Sequence, residues 1–125
     1  MLYSILCYES EAAFAARSRQ EDEAMVARLA AVQERLATAG KLGPVARLMP
    51  TTTATTVLAG RHPVVIDGPY AEVKEQLMGF YIVDCANLED AIDAAQLLAR
   101  EKPAGGMEIR PVALFKPARA PKTSE

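Results

Sequence analysis

The chain has 125 residues, half of them hydrophobic and 24% charged. That is one soluble globular domain, long enough to bury a core without a metal or disulfide to hold it. With 14 Lys plus Arg against 16 Asp plus Glu the formal net charge is −2, which argues against a nucleic-acid binder with its basic stripe.

Residues 2–8, rich in Tyr, Ile and Leu, read as a strand that ends at Glu9-Ser10-Glu11. The segment is too short, and too acidic just beyond, for a secretory signal. No apolar run reaches the ~18 residues of a membrane span. The expectation is a cytoplasmic protein without membrane association. Alanine-rich residues 11–17 suit a short helical turn. Ser18 with Glu21 forms a capping-box pattern, and Met25, Leu29, Val32 and Leu36 follow at helical spacing. Gly40 is a C-terminal stop, so a helix is predicted over about 19–39.

After Gly43-Pro44, Val45 to Leu48 reads as a strand, and Pro50 to Thr53 as a loop. Thr55 to Leu58 and Pro63 to Ile66 flank Ala59-Gly60-Arg61-His62 and predict a hairpin. Ala71 to Gln76 suits one or two helical turns, and Leu77 to Cys85 is a strong strand. Asn87 caps a second helix with Leu88, Ala91, Ile92, Ala95 and Leu98 on its apolar stripe. Pro103 to Gly106 ends it, and Met107 to Phe115 is the last strand. Residues 116–125, with Pro117 and Pro121, read as a disordered tail behind a single domain over 1–115.

The order β-α-β-hairpin-β-α-β is the split βαβ, ferredoxin-like plan, an α+β fold with two main helices on one face of an antiparallel sheet. Alternation puts Leu77, Tyr81 and Val83 on one face and Met78, Phe80 and Ile82 on the other. Both faces are then largely apolar, whereas a half-solvated antiparallel sheet is apolar on one face only. A second copy of the chain is the simplest cover, so a homodimer through the sheet faces is expected.

Chemistry is sparse. Cys7 and Cys85 lie in separate strand-like runs and read as buried free thiols. His62 is the one histidine and sits in a turn. Two cysteines and one histidine cannot make a structural zinc site, and no metal or cofactor is expected. The densest charged stretch is Asp67 to Leu77. Asp67-Gly68-Pro69 is a turn element. Asp67, Glu72 and Glu75 suit general acid or base work, and Lys74 suits an anion. Arg110 stands in a mostly apolar strand and needs a carboxylate, either Glu72 or Glu75 within the fold or one on a ligand.

The run Asp67-Gly68-Pro69-Tyr70-Ala71-Glu72-Val73-Lys74-Glu75-Gln76-Leu77-Met78-Gly79-Phe80-Tyr81-Ile82 resembles the DGPF motif of YCII-related proteins. The family pattern is DGPF-A-E-x-K-E-x-L-G-G followed by Phe or Tyr. Here Tyr70 stands for the Phe and Met78 for the first Gly. The likeness extends to the opening strand, to Thr53 to Val57 and to Glu108 to Val112, and covers residues 1–115. The resemblance implies a dimeric α+β barrel. It also implies enzymes with a proposed His–Asp pair, but Cys7 or Tyr8 stands here where an early-strand His would sit, and His62 lies in another element. It further implies an association with extracytoplasmic-function sigma factors, beside which many such proteins are encoded.

Three readings stay open. The first is a small-molecule pocket beside the Asp67-Gly68-Pro69 segment, with Asp67, Glu72, Lys74, Glu75, Tyr81 and Arg110 as candidate ligand-binding residues. The second is a regulatory module acting with a sigma-factor-linked protein, without direct nucleic-acid contact. The third is an inert relative that keeps only its dimer. Whether any reaction is catalysed is left open.

Overall fold

In a computed structural model of the chain, which describes residues 1–119, strand β1 runs Leu2–Ser10. Its burial alternates strictly: Tyr3, Ile5, Cys7 and Glu9 are buried, and the residues between them are half-buried. The strand is thus longer than its apolar run. Ser10 then caps α1, Glu11–Ala16, by accepting the Ala13 N–H at 3.1 Å. Helix α2, Arg19–Thr38, starts with the expected capping box: Ser18 Oγ accepts the Glu21 N–H and Glu21 Oε1 accepts the Ser18 N–H. Its buried stripe is Met25, Leu29, Val32 and Leu36, the one the helical spacing marks.

Strand β2 is Leu42–Arg47, β3 Thr55–Leu58, β4 Val64–Asp67 and β5 Glu75–Asp84. Helix α3, Leu88–Ala99, is capped by Asn87, whose side chain accepts the Asp90 N–H at 2.9 Å. Strand β6, Gly106–Pro111, closes the fold. The main sheet has the order β2-β5-β1-β6 with every neighbour antiparallel, and β3-β4 form a separate two-stranded sheet. This is the α+β, ferredoxin-like arrangement. The core of Ile5, Val83, Ala91 and Leu98, with the α2 stripe, lies between the sheet and the helices. Among the described residues, no helix is long and apolar enough to cross a membrane.

The differences from expectation are local. Residues 71–74 form no helix, and β5 begins at Glu75. Strand β2 starts earlier, at Leu42, and carries Pro44 within a register shift, which a sheet edge tolerates. The last strand stops at Pro111, and the expected tail at 116–125 lies partly outside the described residues.

A bulge in β5 matters most. Cys7 faces Gly79 and Tyr8 faces Leu77, so Met78 is the extra residue. One inserted residue shifts the strand's alternation. Met78 is therefore buried in the core and Leu77 goes to the face of Tyr8, the reverse of simple alternation. Gly79 lets β2 come close, since a Cβ there would stand 2.5 Å from the Ala46 carbonyl oxygen. Gly79→Ala should therefore cost about 1–3 kcal/mol by overpacking. Chemical denaturation measures this, and an unchanged midpoint would show that β2 can move away freely.

Candidate functional site

The alternation that buries Tyr3, Ile5 and Cys7 carries Glu9 inward with them, to 1% exposure. A carboxylate taken out of water needs opposite charge beside it. The residue after α1 supplies it. Arg17 is extended (φ −78°, ψ 128°), which turns the chain back over the end of β1. Its guanidinium Nη2 lies 2.8 Å from Glu9 Oε1, and its side chain is only 7% exposed. From the turn after α3, Lys102 Nζ comes within 3.4 Å of Glu9 Oε2.

The cluster continues outward. Arg17 Nε donates to Asp22 Oδ1 at 3.3 Å, and Arg47 Nη2 donates to the same oxygen at 2.7 Å. Both guanidinium carbons lie over the Phe14 ring, at 5.5 Å and 5.9 Å from its centre, within cation–π range. The hydrogen bond from Arg47, with Arg17 adding to it, holds the Asp22 carboxyl below its ordinary range against a smaller opposing effect of burial. Burial pulls Arg17 downward, but Glu9 and Asp22 together outweigh it and its net shift is upward.

Close approach is not full satisfaction. Neither Glu9 oxygen receives a well-aligned hydrogen bond, and the buried Arg17 Nη1 has no acceptor. Glu9, Arg17 and Lys102 line a cavity of about 180 Å³ between α2 and the sheet. Its other walls are mostly apolar, with Met25, Val26, Leu29, Val45, Met78 and Met107, and Gln33 and Arg47 add polar groups. Tyr81 lines it too, its hydroxyl accepting from Gln33 Nε2 at 3.1 Å. Burial raises the Tyr81 phenol, partly opposed by Gln33. Burial likewise raises the Cys7 thiol on the cavity wall, partly opposed by Lys102. A raised thiol is a poor nucleophile. Glu9 is the group here placed to orient a ligand's donor, and Arg17 and Lys102 are placed to hold an anion.

Of the six residues singled out from sequence, Tyr81 alone lines this cavity. Asp67 ends β4 opposite Thr55 and is exposed. Glu72 and Lys74 lie exposed in the irregular segment before β5, and Glu75 opens that strand opposite Ser10. Arg110 is not buried: its side chain is 69% exposed and its Nε lies 3.8 Å from Glu108 Oε2. Glu108, two residues away on the same face of β6, takes the place expected for Glu72 or Glu75. The conspicuous charged segment instead carries turn chemistry. Gly68 has φ +103°, and its N–H donates to the Ala54 carbonyl at 2.8 Å. Gln76 Nε2 donates to the carbonyls of Ala71 and Val73. Sequence reasoning does not single out Glu9, Arg17 or Lys102. The signal for Glu9 was there in the period-two pattern of Tyr3, Ile5 and Cys7, had the strand been carried two residues further.

Arg17→Met should cost about 3–5 kcal/mol, because it leaves most of the Glu9 charge buried without compensation. Adding Glu9→Leu should recover most of that loss. Urea denaturation of the single and double variants checks it, and equal stability of the two would mean that Arg17 does not serve to compensate Glu9.

Comparison with known proteins agrees with the architecture. The chain matches the YCII-related domain over residues 1–116. It is 50% identical over 123 residues to an uncharacterized protein of Rhizobium meliloti (strain 1021), covering 97% of this chain and 99% of that protein. With the motif, the sheet order and a match over nearly its whole length in agreement, the chain belongs to the YCII-related domain family.

Proposed function

We propose that this YCII-related protein binds a small molecule in the cavity between α2 and the sheet, and that it works as a homodimer. The observation that carries the first part is the buried Glu9–Arg17 pair. Both residues line a space with mostly apolar walls, and their atoms without partners are buried at its polar end. Binding sites combine largely apolar walls with a few convergent polar groups. A buried polar atom without a partner calls for an explanation, and a ligand is one. The site differs in place from the Asp67-Gly68-Pro69 segment, of which Asp67 is exposed and Gly68 and Pro69 are half-buried.

The dimer rests on a different observation. Leu6, Tyr8, Phe80 and Ile82 stand on the central strands with no helix over them, since the helices pack on the Ile5 and Val83 side. On β3 and β4, Val57, Val64, Val65 and Ile66 are exposed. An isolated hairpin is marginal in water, and a second copy laid across the sheet would cover both surfaces. The charged pair Glu108 and Arg110 marks the β6 border of that face.

Two measurements test these readings. A thermal-shift screen against a metabolite library should find a stabilising compound. At 100 times its Kd the compound adds about 2.7 kcal/mol, several degrees for a domain of this size. The shift should vanish in Ala30→Trp, which places a large ring at the exposed rim of the cavity. A shift that survives in that variant would locate binding elsewhere. Light scattering should give twice the chain mass of 13.5 kDa, and Ile82→Asp should give the monomer. A monomeric wild type at micromolar concentration would remove the dimer.

A further inference from the structure

Charge and size together narrow what the cavity beside Glu9 takes. Three cations, Arg17, Arg47 and Lys102, stand around its polar end with two carboxylates, Glu9 and Asp22. Asp22 is shared by Arg17 and Arg47, and Glu9 by Arg17 and Lys102. With both acids ionised, one positive charge is left over. Arg17 Nη1 is the donor without an acceptor, buried in the cavity wall. On the apolar side, Met25, Met78 and Met107 give walls that adapt in shape. A dry cavity of roughly 150 Å³ admits a benzene ring, and this one holds about 180 Å³.

We infer that the ligand is a small monocarboxylic acid with an apolar body the size of one ring, its carboxylate set against Arg17 and Lys102 and its body among the methionines and Leu29. The inference rests on the small-molecule reading above and adds the ligand's charge and size. Glu9 has a selective part in it. One ligand negative charge balances the cluster, and a second would face the Glu9 carboxylate in a desolvated site, where like charges repel strongly. The site therefore favours a monoanion over both the neutral amide and the dianion.

Titration calorimetry on the full chain tests this with benzoate, phenylacetate, benzamide and phthalate as the probes. Benzoate or phenylacetate should bind, with benzamide and phthalate each at least tenfold weaker. Lys102→Met, which keeps the length and apolar stem of the side chain, should weaken the acid at least tenfold and leave the amide unchanged. An amide that binds as well as the acid overturns the inference and leaves the pocket standing, as does unchanged acid affinity in Lys102→Met. The acid-to-amide comparison on the wild type decides the matter even if that variant does not fold. Failure of every monocarboxylate, while neutral compounds in the library screen still stabilise the protein, removes only the charge assignment. Failure of compounds of every charge removes both it and the pocket.

Discussion

A carboxylate drawn into the interior by strand alternation has to be neutralised where it stands, and much of this fold's near end is arranged around that requirement at Glu9. The strand cannot place Tyr3, Ile5 and Cys7 in the core without carrying Glu9 after them. Arg17 answers it because α1 is short and ends in an extended residue. Lys102 answers it because α3 ends nearby. Asp22 and Arg47 then relay the charge outward to solvent and join β2 to the first turn of α2. Buried ion pairs add little net stability after desolvation. The arrangement is better understood as a placed set of charges than as a source of folding energy.

The bulge at Met78 supplies part of the wall beside those charges. An extra residue in β5 turns a methionine into the gap under α2 and leaves Gly79 where β2 crosses closely. A regular strand would have put Met78 on the opposite face. The cavity's apolar wall and the close edge packing of β2 therefore share one cause. Bulges often re-aim a side chain beside a site, and here the re-aimed residue is one of three flexible thioethers lining the space.

The opposite face of the sheet obeys a different constraint. Its central strands are apolar and its β6 edge is charged, with Glu108 and Arg110 side by side. The helices cannot reach it, because both crossovers pass over the other face. The family's signature segment meets a local requirement of the chain. The Asp67–Gly68 turn and the Gln76 side-chain bonds shape the return from the hairpin into β5. Its charged residues face water. In this chain the motif is a device that launches the central strand.

The element order, the two capped helices, the buried stripe of α2, the hairpin and the sheet plan were legible in the sequence. Helix α3 instead turns its small residues to the sheet, burying Ala91, Ala94, Ala95 and Leu98 and leaving Leu88 and Ile92 of the expected stripe exposed. The legible features depend on local periodicity and capping, which act over a few residues. The family was legible for a related reason, in that its signature is one contiguous run from Asp67 to Ile82. The site was not. Asp67, Glu72, Lys74 and Glu75 drew notice because charge is dense along the chain there, but density in sequence says nothing of burial, and the fold leaves them in water. Glu9, Arg17 and Lys102 come from a strand end, a helix end and a distant turn. Only tertiary packing decides that three such residues meet, and only the inserted residue at Met78, invisible to simple alternation, decides that a methionine of β5 walls the cavity beside them.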